Sequence, residues 1–151
     1  MGEPLGRSNA APLIAGVAFD GQPTVLFFYK STCPVCQLSA PVIQAFETAY
    51  PGHIVGVGQD VPETLAVFSR DHGMTFRSVS DVAPYAVSNL YGIRVVPTTF
   101  LVGADGDIVE VVESWDRERL NAISSQMADL TASPYRPISE PEDGLPPFRP
   151  G

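Results

Sequence analysis

Cys33 and Cys36 are the residues of this chain whose type and spacing best suit chemistry. They are its only cysteines, and Pro34 and Val35 separate them. A thiolate is the species that attacks disulfide bonds, and two thiols this close can also form a disulfide with each other. The spacing therefore predicts a redox site that alternates between a dithiol and a disulfide.

The pair is predicted to lie where a strand gives way to a helix. Residues 24–29 are mainly β-branched and aromatic, which indicates a buried strand. Apolar residues recur at helical spacing after the pair: Leu38, Val42, Ile43 and Phe46. Cys33 would begin this helix, where free backbone N–H groups and the helix dipole favour an anion. This position favours the thiolate form of Cys33.

Two other interpretations of the cysteine pair are weaker. A structural disulfide that closes so short a loop removes little entropy from the unfolded chain. A zinc site would need two further ligands, and the only histidines, His53 and His72, lack the close spacing of such sites. The redox interpretation is preferred, because a Cys-x-x-Cys between strand and helix is typical of redox motifs.

Composition and charge exclude several classes of function. With 151 residues the chain is long enough for one domain with its own core. A formal net charge of −8, without a basic run, argues against binding to nucleic acid. No apolar run is long enough to span a bilayer. We expect one acidic globular domain without a transmembrane segment in this chain.

Strands and helices are predicted to alternate. The expected strands are 24–29, 53–58, 77–80, 98–102 and 108–112, and the expected helices are 34–50, 62–72, 83–91 and 117–130. Helical crossovers imply parallel strands at first, and an Asp-Gly turn at 105–106 predicts a hairpin between the last two. This order predicts an α/β fold with a central mixed β-sheet flanked by helices on both faces.

Both ends lie outside the predicted domain of residues 23–131. Residues 1–22 are expected to form an N-terminal extension that packs as an edge strand or a short helix through apolar side chains: Leu13, Ile14, Val17 and Phe19. This extension lacks the basic segment of an intact signal peptide. Residues 132–151 are rich in proline and poor in apolar periodicity, so we expect a flexible tail.

Pro97 is the second informative feature. It has no N–H to donate, which places it at a strand entry or a turn, and proline statistics alone favour a trans bond. Pro97 is one of several features that occur together here: a strand, a Cys-x-x-Cys at a helix start, Pro41 and the run 91–98. With this combination the chain resembles thioredoxin. It resembles more closely the TlpA- and ResA-type thiol–disulfide oxidoreductases, which carry a similar 97–102 run and Asp-Gly hairpin. The resemblance covers about residues 24–131.

The resemblance implies a thioredoxin fold and disulfide exchange with protein substrates. Cys33 would be the attacking thiol and Cys36 the resolving thiol, with the Val96–Pro97 peptide in cis and facing them. The implied substrate-binding residues are Val96, Pro97, Pro34 and Val35, and Val96 would offer its backbone to an extended segment. The redox centre would then be the cysteine pair itself, with no cofactor and no metal. Expected partners are protein thiols or disulfides and a redox partner protein, and we expect a monomer.

Several residues bear on the redox potential of the pair. Pro34 takes the first helical position, where its missing N–H costs nothing, while Val35 and Cys36 keep N–H groups that can point at the Cys33 sulfur. Thioredoxin has its proline in the second intervening position and loses one of these donors. Lys30 either adds positive charge that tunes Cys33 or is simply solvated. We expect a pair that is less reducing than thioredoxin.

The chain departs from the family at the positions that handle protons. The position six before Cys33, where thioredoxin has a buried acid, is Phe27. The position three after Cys36, where ResA-type proteins have a glutamate, is Ser39. The group that accepts the proton of the resolving thiol is therefore not identified by the resemblance, and the candidates are Ser39, water and Glu47.

Another departure lies after the hairpin. The glycine usually found there, beside the cis proline, is replaced around Ser114–Trp115. Trp115 is expected either to wall the substrate groove or to pack in the interior, and packing is the favoured alternative.

Two hypotheses of function follow. The first is an enzyme, a protein thiol–disulfide oxidoreductase, which the paired cysteines and Pro97 favour. The second is a non-catalytic thioredoxin-fold module for binding or redox sensing, which the missing carboxylates favour. TlpA- and ResA-like proteins generally work outside the bacterial cytoplasm, which favours an extracytoplasmic location with the leader absent from this chain. The cytoplasm is the alternative.

Overall fold

A mixed β-sheet forms the centre of the protein. The computed structural model describes residues 4–151, and this part of the chain forms a five-stranded sheet in the order β3-β2-β1-β4-β5. The strands are β1 (Thr24–Tyr29), β2 (Ile54–Gly58), β3 (Ser78–Ser80), β4 (Thr98–Val102) and β5 (Ile108–Glu113). β1 pairs in parallel with β2, and β2 with β3, while β4 is antiparallel to both β1 and β5. The predicted mixed sheet and its hairpin are confirmed.

The helices connect the strands close to the predicted bounds. They are α1 (Pro34–Ala49), α2 (Pro62–His72), α3 (Ala86–Leu90) and α4 (Arg117–Thr131). Gly73 ends α2 in the left-handed conformation, with φ 72°. Asp116 begins α4 by accepting a hydrogen bond from the backbone N–H of Arg119. The third helix is shorter than predicted, because Tyr85 has a positive φ of 61° that no helix continues.

Two apolar layers cover the faces of the sheet, as the alternation of side chains along a strand requires. One face of β1 packs against α1, α2 and α4 through buried residues that include Val25, Phe27, Tyr29, Ile43, Phe68 and Ile123. The other face packs against α3 and the N-terminal segment through residues that include Leu26, Phe28, Tyr91, Phe100 and Ile14. Helices therefore lie on both faces, as predicted, and β1 and β4 are buried along their whole length.

The N-terminal segment packs without forming the expected edge strand or helix. Ala10 makes a single antiparallel bridge to Asp107, and the buried Ile14 joins the second apolar layer. Val17 and Phe19 are partly buried against the same layer. The expected packing of Leu13 is wrong, since this residue is 85% exposed. The first three residues of the predicted extension lie outside the described part of the chain.

The C-terminal tail is packed, in contrast to the expected flexible segment. Ile138 is buried in the first apolar layer, and a 3-10 turn follows at Pro141–Asp143. A short strand, β7 (Phe148–Arg149), pairs antiparallel with β6 (Trp115–Asp116). This segment has no periodic apolar face, and backbone and side-chain hydrogen bonds fix it to the domain instead. Within residues 4–151, no helix combines the length and the apolar character that crossing a membrane requires.

Candidate active site

A tight turn between β1 and α1 positions the cysteine pair. The backbone N–H of Cys33 donates to the carbonyl oxygen of Lys30 at 3.1 Å, and the N–H of Ser31 donates to a carboxylate oxygen of Asp60 at 2.8 Å. Cys33 is the N-cap of α1, with an extended backbone at φ −85° and ψ 117°, and Pro34 occupies the first turn. The predicted place of the pair at a helix start is confirmed.

The sulfur of Cys33 lies between two backbone groups. The N–H of Cys36 donates to it at 3.1 Å, and the Cys33 thiol lies 3.4 Å from the carbonyl oxygen of Val96 and donates to it. Both cysteines are free thiols, and Cys33 is half-buried. An N–H donor at a helix start is a group that favours a thiolate, and the sulfur that it contacts is the more accessible of the two.

Cys36 has the opposite environment. It is fully buried, and this burial raises the pKa of its thiol. The hydrogen bond of the Cys36 thiol to Cys33 and the negative charge of Asp60 raise that pKa further, and a hydrogen bond with the backbone of Lys30 only partly opposes them. Cys36 is therefore held neutral and shielded, while Cys33 is reachable from solvent.

The segment before β4 faces the cysteine pair. The Val96–Pro97 peptide is cis, as the resemblance implies. The hydroxyl of Thr98 donates to the carbonyl of Val95 at 2.7 Å, and the N–H of Ser114 donates to the carbonyl of Pro97 at 2.8 Å. These bonds fix the backbone on either side of Val96, so that its carbonyl points at Cys33.

The predicted substrate-binding residues fall into two groups. Val96 is half-buried beside the Cys33 sulfur, and Pro34 is exposed next to it, so both are placed to meet a partner. Pro97 is buried beneath them. Val35 packs into the core and is only 9% exposed, so its side chain offers little surface to a partner, and its contact with substrate stays a prediction. A residue at the second position of α1 turns inward when the helix lies on the sheet.

Trp115 packs in the interior, so the structure favours packing over the alternative role as a groove wall. Its side chain is 0% exposed, and its indole N–H donates to the carbonyl of Pro146 at 2.7 Å. The tail covers the ring that would otherwise face solvent. The favoured packing alternative therefore describes Trp115.

The ammonium group of Lys30 contacts the neighbouring loops. Its ammonium donates to the hydroxyl of Tyr85 at 3.2 Å and to the carbonyl of Gln59 at 3.5 Å, and it lies 5.2 Å from the centre of the Tyr85 ring. This places the ammonium in a network that joins β1, β2 and the segment before α3. A tuning effect of Lys30 on Cys33 stays a prediction.

Asp60 is a site residue that sequence reasoning missed. Among the predicted candidates, Ser39 is buried with its hydroxyl 3.4 Å from the Cys36 carbonyl, and Glu47 bonds the N–H of Gly52 at the far end of α1. Asp60 instead follows β2, which is parallel to β1, and parallel strands end at the same edge of a sheet. This rule could have identified Asp60 from the sequence, because it places a carboxylate that follows β2 beside cysteines that follow β1.

The histidines do not take part in the site. A ring nitrogen of His53 lies 2.7 Å from the carbonyl of Pro23, and one of His72 lies 3.0 Å from the carbonyl of Phe68. Within residues 4–151, no three histidine, cysteine or acidic side chains come together as a metal site would require.

Comparison with known proteins agrees with this geometry. The model of the AhpC/TSA family matches residues 14–111. The thiol-disulfide oxidoreductase ResA of Halalkalibacterium halodurans is 32% identical over 96 residues, which cover 61% of this chain and 54% of that protein. The sporulation thiol-disulfide oxidoreductase A of Bacillus subtilis is 30% identical over 95 residues, which cover 58% and 57%. The chain thus spans about half the length of the curated relatives that it matches.

A solved structure shows the same fold. The thioredoxin domain of a thiol-disulfide oxidoreductase from Bacteroides vulgatus superposes with a TM-score of 0.68 at 20% identity, covering 82% of this chain and 99% of that one. The predicted thioredoxin fold is therefore confirmed.

Proposed function

The chain belongs to the AhpC/TSA family, and from this premise we propose that it is a thiol–disulfide oxidoreductase. It exchanges disulfides with protein substrates through Cys33 and Cys36. The observation that carries this proposal is the asymmetry of the pair: Cys33 is accessible and accepts the N–H of Cys36, while Cys36 is buried and held neutral. The names of the two bacterial relatives support the same chemistry.

The first step is an attack by Cys33. Its thiolate forms a bond to one sulfur of the substrate disulfide, and the substrate S–S bond breaks. The leaving sulfur departs with the electron pair and takes a proton from solvent. Cys33 and the substrate are now joined in a mixed disulfide.

The second step is an attack by Cys36. Its thiol loses a proton, the thiolate forms a bond to the Cys33 sulfur, and the mixed disulfide breaks. The substrate leaves as a thiolate and is protonated, and the Cys33–Cys36 disulfide has formed. Two electrons have passed from the dithiol to the substrate, and the reverse sequence oxidises a substrate dithiol. Because burial raises the pKa of Cys36, its deprotonation is the demanding part of this step.

The carbonyl of Val96 gives the substrate a place to bind. It lies beside the Cys33 sulfur at the end of an antiparallel strand, and an extended substrate segment that pairs with it brings its own sulfur to Cys33. Pro34 forms the exposed apolar surface on the other side of Cys33. A separate redox partner protein uses the same surface to return the pair to its starting state.

We also propose that the protein acts as a monomer outside the cytoplasm, as the resemblance to TlpA- and ResA-type proteins implies. Light scattering of the purified chain checks the first point, and a stable dimer would contradict it. Fractionation of cells that carry the natural gene checks the second point, and recovery from the cytoplasm alone would contradict it.

Reduction of insulin by dithiothreitol tests the proposed function. The chain is expected to accelerate the reduction, and Cys33→Ser is expected to leave only the uncatalysed rate. Equal rates for the two proteins would favour a binding or redox-sensing module instead.

A further inference from the structure

Residues 145–151, here named the strap, run from the start of α4 to the edge of the cysteine site. The indole of Trp115 donates to the carbonyl of Pro146 at 2.7 Å, and the N–H of Arg117 donates to the carbonyl of Pro147 at 3.0 Å. β7, which lies within the strap, then pairs with β6. The strap therefore lies beside β6 and the start of α4 as an added strand.

The end of the strap lies on the backbone of Val96. A Cβ built on Gly151 would overlap the Val96 carbonyl oxygen and would lie 3.4 Å from the nitrogen of Pro97. This carbonyl is the group that accepts the hydrogen bond of the Cys33 thiol. The backbone of Gly151 thus lies against the surface that the proposed function gives to substrate.

Ser114 holds this end of the strap. Its hydroxyl accepts the N–H of Gly151 at 2.9 Å, and its own backbone is left-handed, with φ 74°. Glycine adopts this conformation at less cost than serine. The hydroxyl therefore adds a contact to the strap at a position where the backbone alone would favour glycine.

The last residues of the strap are lightly held. Phe148 is 52% exposed, and Arg149 and Gly151 are also exposed. A cavity of about 630 Å³ lies between the strap and the start of α4, lined in part by Phe148 and Arg119. Exposed backbone hydrogen bonds with little apolar burial open at low free energy. The segment after Pro147 can therefore leave while the bond from Trp115 to Pro146 stays.

We propose that the strap is an internal occupant of the Val96–Pro97 surface and that a protein substrate displaces residues 148–151 to reach Cys33. This inference rests on the proposed function. A small disulfide reaches the Cys33 sulfur without pairing with Val96, so its reaction does not depend on the strap. An extended protein segment must compete with Gly151 for the same backbone.

Three variants release the strap in different ways. The first is the chain shortened after Pro147, which keeps the contacts of Trp115 and Arg117. Ser114→Gly removes the hydroxyl that holds Gly151 and suits the positive φ. Gly151→Ala places a methyl group against the Val96 carbonyl. Ser114→Gly relieves backbone strain and is therefore expected to fold. It can be measured even if the shortened chain folds poorly.

Matched controls make the same changes elsewhere. Ser8→Gly replaces an exposed serine at φ 71°, and Gly6→Ala adds a methyl group where nothing lies within 4 Å. Insulin serves as the protein substrate and 5,5′-dithiobis(2-nitrobenzoate) as the small disulfide.

Each variant is expected to lower the KM for insulin several-fold, with the rate toward the small disulfide unchanged and both controls behaving as wild type. A synthetic Phe-Arg-Pro-Gly peptide, which matches the removed residues 148–151, should compete with insulin on the shortened chain, and a scrambled peptide should not. An unchanged KM in the shortened chain and in Ser114→Gly, with normal reaction of the small disulfide, would overturn the strap inference alone. If the wild-type protein did not react with the small disulfide at all, the proposed function would be refuted, and the strap inference with it.

Discussion

The Cys33 sulfur and the Val96 carbonyl oxygen lie 3.4 Å apart, although 63 residues separate them in the chain. The antiparallel pairing of β1 with β4 explains this contact, because it sets Phe28 opposite Thr98. The turn after β1 and the segment before β4 consequently meet at one edge of the sheet. The pairing of two fully buried strands thus positions both the Cys33 sulfur and the Val96 carbonyl.

The two thiols should differ strongly in reactivity. With iodoacetamide at neutral pH, the folded dithiol protein is expected to be alkylated at Cys33 and not at Cys36, because burial raises the pKa of Cys36 and shields it. Peptide mass spectrometry measures the two sites separately. In Cys33→Ser, Cys36 should react only after denaturant is added, and rapid labelling of folded Cys36 would contradict this account.

The dithiol protein should lose stability in alkaline solution. An unfolded cysteine has a pKa of about 8.5, and burial raises the folded pKa of Cys36 above that value. Above about pH 8.5 the folded protein keeps a proton that the unfolded chain releases, so the unfolding free energy falls by at most about 1.4 kcal/mol per pH unit. Below that pH the contribution is fully present. Urea unfolding from pH 7 to 10 measures it, and Cys36→Ala should show a shallower decline; equal slopes would contradict the prediction.

Asp60→Asn should accelerate the second step of exchange. The amide oxygen of asparagine still accepts the N–H of Ser31, while the charge that helps raise the pKa of Cys36 is lost. Because Asp60 is half-exposed, water screens the effect, and we expect less than about tenfold. Release of thionitrobenzoate from its mixed disulfide with Cys33 measures the step.

Asp105→Asn is the matched control, since Asp105 also accepts a backbone N–H, that of Asp107, and lies in the hairpin turn. It should leave the rate of release unchanged. A slower release in Asp60→Asn would show that Asp60 takes the proton of Cys36 instead of opposing its ionisation.

Trp115→Phe should lower stability without altering the chemistry. The buried indole loses its bond to the Pro146 carbonyl and leaves a cavity, which together cost about 2–4 kcal/mol. Denaturant unfolding measures the loss. The reaction of the folded variant with a small disulfide should match wild type, and a large drop in that rate at full stability would assign Trp115 to the site.

Most of the fold could be predicted from the sequence, because its elements carry strong local signals. The apolar run of β1, Pro62 at the start of α2 and Gly73 at its end each act within a few residues. The pair at the helix start was predicted for the same reason. The burial of Val35 could not be predicted, because it depends on which way α1 lies on the sheet, and local sequence does not specify that.

Asp60 and the strap could not be predicted in this way. Asp60 reaches the site only through the parallel register that sets Tyr29 opposite Gly58. The strap is held by the carbonyls of Pro146 and Pro147, and every residue has a carbonyl whatever its side chain. The one signal in the sequence was Trp115, since a buried indole N–H requires an acceptor.

Trapping the mixed disulfide tests the central claim most directly. Cys36→Ser is incubated with a disulfide-bonded protein substrate, quenched with acid and digested for mass spectrometry. We predict a stable adduct in which Cys33 is joined to a substrate cysteine, because the resolving thiol is absent. The reciprocal Cys33→Ser protein should form none. An adduct on Cys36 in Cys33→Ser, at a comparable rate, would contradict the assignment of Cys33 as the nucleophile.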